Sequence, residues 1–402
     1  MKKFIAILIA AVLTVSLAAC GKSDGGASVT EGTADPSASS SESITENTTV
    51  KNDPYSKIPD IMSSSDGRYE IAFVADTGQL LDKSFNQGSW EGVKKYASDN
   101  GKSYKYYQPA NGSRATDTDR YNAMRAAAQS GAEIIVSAGY LQGEALKRAA
   151  REFTDVSFIF IDGQVITETD GDKSAPLSNV AAVAYNEEQS GFLAGFAAVS
   201  EGYTRLGFTG GGGGTNPSCN RFAYGFAQGA DEAASVLGKD VELTLSWEYG
   251  STFSPSAELQ TMLSGWYAKG TEVIFCCGGP MCQSAFAAAS ANDGAVIGCD
   301  VDQSGDSDTV ITSATKDLRR SVELMLEGFY NDKWEEIGGR QTTLGIKDNA
   351  VGLPTDTWSF KSFTVEDYNK LYTAIKDGEL TVDRAYEKLT PENFKRLKLL
   401  IV

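Results

Sequence analysis

The stretch IAFVADTGQLLDKSFNQGSWEG, residues 71–92, decides how the chain is read. IAFVA is an apolar run of the length of a buried strand, and Gly, Asp and Ser then interrupt it before helical periodicity begins. Ser84 followed by Gln87 fits a capping box, which places a helix start there. On a wheel of about 100° per residue, Trp90, Val93 and Ala97 fall within about 60° of one another and form a core stripe. Phe85 lies roughly 110° from the centre of that stripe. At the carboxyl end of a strand it faces either a cleft or the loop before it. Asp76 either satisfies amides of its own turn or faces a ligand. Asn86 carries both a donor and an acceptor, which suits the edge of a heterocycle. Asp82 and Lys83 are expected to pair with each other at the surface.

The same alternation runs along the chain. KYYQP, IIVSAG, FIFIDG and VAAVAYN follow as apolar runs, with helical patterns near 117–130 and 142–153. A second series holds RLGFTGG, VELTLSWEY, VIFCCGG and AVIGCD, with helical patterns near 220–237, 255–269 and 281–292. Strands alternating with helices at this spacing predict α/β architecture, with mainly parallel sheets flanked by helices. Two such series joined near 184–190 predict two lobes. VITSAT and LGIKDN are expected to cross back between them. The domain reading is a first lobe of residues 67–185 and 312–345 and a second of 186–311 and 346–402. In such sheets ligands bind at the carboxyl ends of the strands. Asp76, Gly139, Asp162, Gly210–Gly214, Gly278–Gly279, Asp300 and Asp302 all fall there, so two facing rims define a cleft.

MKKFIAILIAAVLTVSLAAC has the layout of a secretory signal, too short in its apolar part for a span of about 20 residues. SLAAC with Gly21 resembles the bacterial lipoprotein box, which makes residues 1–20 a signal peptide and Cys20 the lipidated new N-terminus. Attachment to the outer or periplasmic face of the cell membrane follows. Residues 21–66 are rich in Ser, Gly, Thr and acids and are expected to form a disordered tether. The tether would reach on the order of 40 Å.

The formal net charge is −17, which argues against a nucleic-acid partner, and the sequence holds no histidine. Without histidine the commonest general base and His-ligated metal sites are gone. Setting Cys20 aside leaves Cys219, Cys276, Cys277, Cys282 and Cys299. They are expected as buried thiols, a Cys277–Cys282 bridge being the alternative. Neither a metal nor another cofactor is expected. The acidic run Asp302–Asp308 is read as a solvated hinge loop in preference to a Ca²⁺ site.

DKSFNQGSWEG resembles the signature of the BMP (basic membrane protein)/PnrA-like family of substrate-binding lipoproteins. IIVSAGYLQGEAL, FIFIDG, YNEEQSGFLAGFAA, LGFTGG with NRFAYGF, VIFCCGG, GCDVDQ and VITSATKD follow in the family's order, over roughly residues 70–360. The resemblance implies a two-lobed periplasmic-binding-protein fold of type I. It implies a monomer that captures a nucleoside, of purine type, for an ABC transporter permease, without catalysis. It also implies the site. Phe85 and Phe222 would stack on the two faces of the base, and Asp76 and Asn86 would bind its polar edges. Asp300 would accept from the ribose hydroxyls, Lys316 would reach the ribose side, and Gly139 and Gly279 would let backbone approach. Wheel geometry by itself puts Phe222 with Phe226, Ala230 and Ala233 in the core. A sugar or autoinducer receptor of the same fold is one alternative. A surface nucleosidase using Asp76, Asp300 or Asp302 is another.

Overall fold

The structure is a computed structural model that describes residues 55, 57–76, 79–169 and 174–402. The signal, Cys20 and most of the tether lie outside the described residues.

In the first lobe, β1 (Ile71–Val74), β2 (Tyr104–Tyr107), β3 (Ile134–Ala138), β4 (Ser157–Ile161) and β5 (Val180–Tyr185) form a parallel sheet. The helices α1 (Phe85–Asn100), α2 (Asp117–Gln129) and α3 (Gly143–Glu152) connect its strands. After α4 (Glu187–Glu201) the second lobe repeats the plan. It holds β6 (Arg205–Gly210), α5 (Pro217–Leu237), β7 (Val241–Ser246), α6 (Ala257–Ala268), β8 (Val273–Cys277), α7 (Cys282–Ser290), β9 (Ala295–Asp300) and β10 (Val310–Lys316). The chain then returns to the first lobe as α8 (Leu318–Tyr330) and β11 (Gln341–Leu344). It ends in the second lobe with β12 (Val351–Gly352), α9 (Val365–Lys376) and β13 (Leu397–Ile401).

The sheet orders are β11-β5-β4-β3-β1-β2 and β12-β10-β9-β8-β6-β7-β13. Both therefore carry the same 2-1-3-4-5 winding, and β12 is the antiparallel exception. In this winding the order reverses beside the first strand of each lobe, and the crevice opens there. Every strand of β1, β3, β5, β6, β8 and β9 is buried nearly throughout, as sheets covered on both faces require.

Two expected boundaries move. VITSATK does not open the return to the first lobe at 312. It is β10, paired with β9 in the second sheet, and the crossing falls at Asp317. The tether also ends before 66. Asp60 accepts from Trp90 Nε1 (2.9 Å) and Lys94 Nζ (2.7 Å), and Tyr104 donates to the Pro59 carbonyl (2.7 Å). These bonds, with Ile58 and Met62 packed on the core, hold residues 58–62 to the first lobe.

The helices α4 and α5 pack through glycines. A Cβ at Gly195 would overlap the Phe226 carbonyl, and one at Gly229 the Phe192 carbonyl. This close approach buries Glu188, whose Oε2 has no hydrogen-bond partner among the described residues. Burial pushes its carboxyl up to about 7. In the unfolded chain it titrates near about 4.3. Between these values the folded state binds more protons, so this contribution to stability falls as pH rises and is lost above about 7. Melting temperature is expected to drop between pH 5 and pH 8, and Glu188→Gln to flatten that drop. An unchanged slope in the variant would contradict the assignment.

Candidate functional site

The loops after β1, β3 and β4 face those after β6, β8 and β9 across a cavity with about 560 Å³ of empty space, its open mouth included. Asp76, Phe85, Asn86, Gly139, Phe222, Gly279, Asp300 and Lys316 all line it. So do Asp162, which the sequence reading placed on the rim without a ligand role, and Ser218 and Phe253, which it did not single out.

The opening stretch is built differently from the expected capping box. Ser84 makes no cap bond. Asp82 caps α1 instead, accepting from the amides of Ser84 (2.9 Å), Asn86 (3.0 Å) and Gln87 (3.0 Å). Burial lifts its carboxyl to about 6 against those donors. Asp82 and Lys83 do not pair. Lys83 reaches Asp306 of the other lobe at 3.0 Å, and Ser84 Oγ donates to Asp300 Oδ2 at 3.2 Å. The Asp302–Asp308 run is thus partly committed to protein contacts, Asp302 also accepting from Thr357 (2.7 Å).

Asn86 directs its amide hydrogens to Asp76 Oδ1 (3.1 Å) and Asp82 Oδ2 (3.0 Å). Its oxygen accepts from the Asp76 amide at 3.3 Å. In this arrangement it orients Asp76 and leaves a ligand only spare capacity on Oδ1. Gly139 has φ +108, and a Cβ there would overlap the Asp76 carboxylate.

The floor is a buried charge cluster. Lys316 Nζ meets Asp162 Oδ2 at 2.8 Å, Asp300 Oδ1 at 3.1 Å and Ser218 Oγ at 3.3 Å. Burial works to lower its pKa, but Asp162, Asp300 and Glu187 hold it well above the usual lysine range. Burial pushes both aspartates up, with Lys316 opposing. Behind them, Glu187 accepts from Ser218 Oγ and Arg221 Nε, both at 2.5 Å. Asp162 Oδ1 is buried with no partner among the described residues, which leaves an acceptor for a ligand donor.

The ammonium also lies 5.0 Å from the Phe85 ring centroid and 5.5 Å from that of Phe222. Phe222 has both expected placements. It lines the cavity and meets Phe275 edge-on at 5.7 Å in the core. The five cysteines among the described residues are all free, buried thiols. The alternative Cys277–Cys282 bridge is not formed, since the Cys282 thiol donates to the Cys276 carbonyl at 3.0 Å. Asp162 lies where the rule on strand carboxyl ends puts it. It follows β4 as Asp300 ends β9, at matching places in two equally ordered sheets.

Paired sheets of this winding, three crossings and a polar cavity between the lobes define a two-lobed solute-binding protein. The family model for ABC transporter substrate-binding proteins of PnrA-like type matches residues 70–384, and the chain belongs to that family. It is 27% identical over 336 residues to the ABC transporter nucleoside-binding protein BmpA of Lactococcus lactis subsp. cremoris, covering 78% of this chain and 88% of that one. With basic membrane protein B of Borreliella burgdorferi it shares 30% identity over 304 residues, 73% of this chain and 83% of the other. Among solved structures, an ABC transporter solute-binding protein from Aeropyrum pernix superposes with TM-score 0.60 at 20% identity, covering 80% of this chain and 90% of that one. The protein is an ABC transporter substrate-binding protein. Among the described residues, no helix is long and apolar enough to cross a membrane.

Lys316→Met leaves two buried carboxylates facing each other and is expected to cost about 3–5 kcal/mol in urea unfolding. Adding Asp162→Asn and Asp300→Asn should recover most of that loss. Wild-type stability in the single variant would show that the cluster is not a buried ion pair.

Proposed function

We propose that the protein captures a neutral purine nucleoside between its lobes and presents it to an ABC permease, held at the membrane by lipid on Cys20. The observation that carries this reading is the pair of rings, Phe85 from the first lobe and Phe222 from the second, with centroids 5.0 and 5.5 Å from the Lys316 ammonium that two carboxylates hold. A base slides between rings of this kind, and each stacking contact is worth about 1–3 kcal/mol. Asp300 and the unpartnered Asp162 Oδ1 suit the vicinal hydroxyls of a ribose. Asp76, oriented by Asn86, suits a ring N–H. Gly279 lets its loop backbone come close to the ligand. No covalent step is required. The relationship to the L. lactis nucleoside-binding protein favours the same ligand class.

Calorimetry with inosine, adenosine, guanosine, ribose and galactose tests the reading. Nucleosides should bind and the free sugars should not. Phe85→Ala should weaken nucleoside binding by about 1–3 kcal/mol. A 2′-deoxy analogue should bind at least about tenfold more weakly, because it leaves a buried acceptor unpaired. Binding of galactose or ribose in preference to every nucleoside would overturn the assignment. Release of free base during incubation would make the protein an enzyme. For the anchor, Cys20→Ser should move the protein from the detergent phase to the aqueous phase on partitioning. An unchanged partition would remove the lipid from the account.

A further inference from the structure

The run GGGGG at 210–214 is absorbed by none of the roles above, and its packing shows what it supports. A Cβ at Gly211 would overlap the ring of Phe253. Gly250, whose own Cβ would overlap the Gly210 carbonyl, accepts through its carbonyl from the amides of Gly212 (3.1 Å) and Phe253 (3.0 Å). Phe253 itself sits at φ +59, a conformation that costs a non-glycine residue of order 1 kcal/mol or more. Bare backbone is therefore the seat of an aromatic ring, and that ring stands at the outer end of the ligand cavity.

The two ends of the cavity differ. At the inner end, Asp300 and Lys316 also line a space along the segments that cross between the lobes. At the outer end, Asp82, Phe253 and Pro280 are shared with a second cleft of about 1530 Å³, open mouth included. Leu81, Gln108 and Arg114 wall it from the first lobe, and Pro255 and Gln283 from the second. Leu81 is 52% exposed there, a large apolar side chain with a face to the opening. Leu81, Phe253, Pro255 and Pro280 give the compartment apolar surface among its polar and charged side chains, a mixed lining that can take an apolar group entering from the cavity.

We propose that this outer compartment, entered past Phe253 and Pro280, receives an aryl or branched alkyl substituent on the exocyclic amine of the purine. The inference rests on the nucleoside reading. A nucleoside whose ribose sits at Asp300 and Lys316 would turn the six-membered ring of its base, and the substituents that ring carries, toward Phe253 and Pro280. The site then takes base-modified nucleosides as well as plain ones.

The test is calorimetry of the full folded protein with adenosine, guanosine and their derivatives benzylated on the exocyclic amine. The two amines leave the ring at different carbons, so at least one of the two benzylated nucleosides should bind within about threefold of its parent or more tightly. Leu81→Trp and, separately, Gln283→Trp place a bulky ring in the compartment, and neither position lines the inner cavity. Each should weaken the benzylated ligand at least tenfold and leave the parent unchanged, and parent binding certifies that the variant is folded. If a parent binds to the wild type and both benzylated forms are tenfold weaker or worse than their parents, the compartment is not a subsite, and the nucleoside reading stands. If both tryptophan variants bind the benzylated ligand as the wild type does, the group lies elsewhere and the inference fails. If no parent nucleoside binds, the nucleoside reading falls and takes this inference with it.

Discussion

One buried ammonium organises the molecule. Lys316 is 4% exposed and extends from the second lobe between Asp162 of the first and Asp300 of its own. A charge in such surroundings survives only if paired and hydrogen-bonded. The pairing requires the lobes to be together, because one acid comes from each. Ser84 to Asp300 and Lys83 to Asp306 bridge the same gap. When the lobes part, water can solvate all three charges, so opening carries its own compensation. Closure and opening can then lie close in free energy, which a receptor that must both capture and release requires.

The repeated winding explains why those groups meet. The strand order β2-β1-β3-β4-β5 in one lobe corresponds to β7-β6-β8-β9-β10 in the other. Asp162 directly after β4 and Asp300 at the end of β9 are therefore counterparts, and both adopt left-handed φ, +56 and +68. Gly139 after β3 and Gly278–Gly279 after β8 are counterparts too. The cleft is a rim facing a copy of itself, and the copies diverge in what they place beside the acid. The second lobe adds Lys316 from its fifth strand. At the matching end of β5, the first lobe has Tyr185, whose ring centroid lies 5.5 Å from the same ammonium.

Much of this was readable before any coordinates. Periodicity located the strands and helices, and the rule that ligands sit at strand carboxyl ends collected Asp76, Gly139, Asp162, Gly278–Gly279 and Asp300; Asp302 and the Gly210–Gly214 run, which it also collected, do not line the cavity, and Phe222 and Lys316 came from the family resemblance. Its limits are instructive. Ser84 with Gln87 has the spacing of a capping box, but spacing cannot show that Asp82, with two oxygens, takes three amides at once and frees Ser84 to reach Asp300. The crossing at Asp317 was misplaced because VITSATK is apolar in the same way whichever sheet it joins. Phe222 was ambiguous on a wheel because a ring can have one edge in the core and one in the cavity. Glu187, Ser218 and Arg221 carry the cluster outward from Lys316, but only three-dimensional contact ties residues 31 and 34 positions apart.

The charges also restrict the ligand. Asp162 and Asp300 share one lysine, and Glu187 is matched by Arg221, so the floor carries a surplus of carboxylate over ammonium. A phosphate brought against that floor would meet both acids in a medium that screens poorly. A cation would find the nearest carboxylates already bonded and Lys316 in its path. A neutral molecule with hydroxyl donors meets neither objection. On the proposed function it would satisfy Asp162 Oδ1 without disturbing the ion pair, and its ring would lie against aromatic faces that already accept a cation's approach. On the proposed function, selection against charged relatives of the ligand would be built into the same contacts that hold the lobes together.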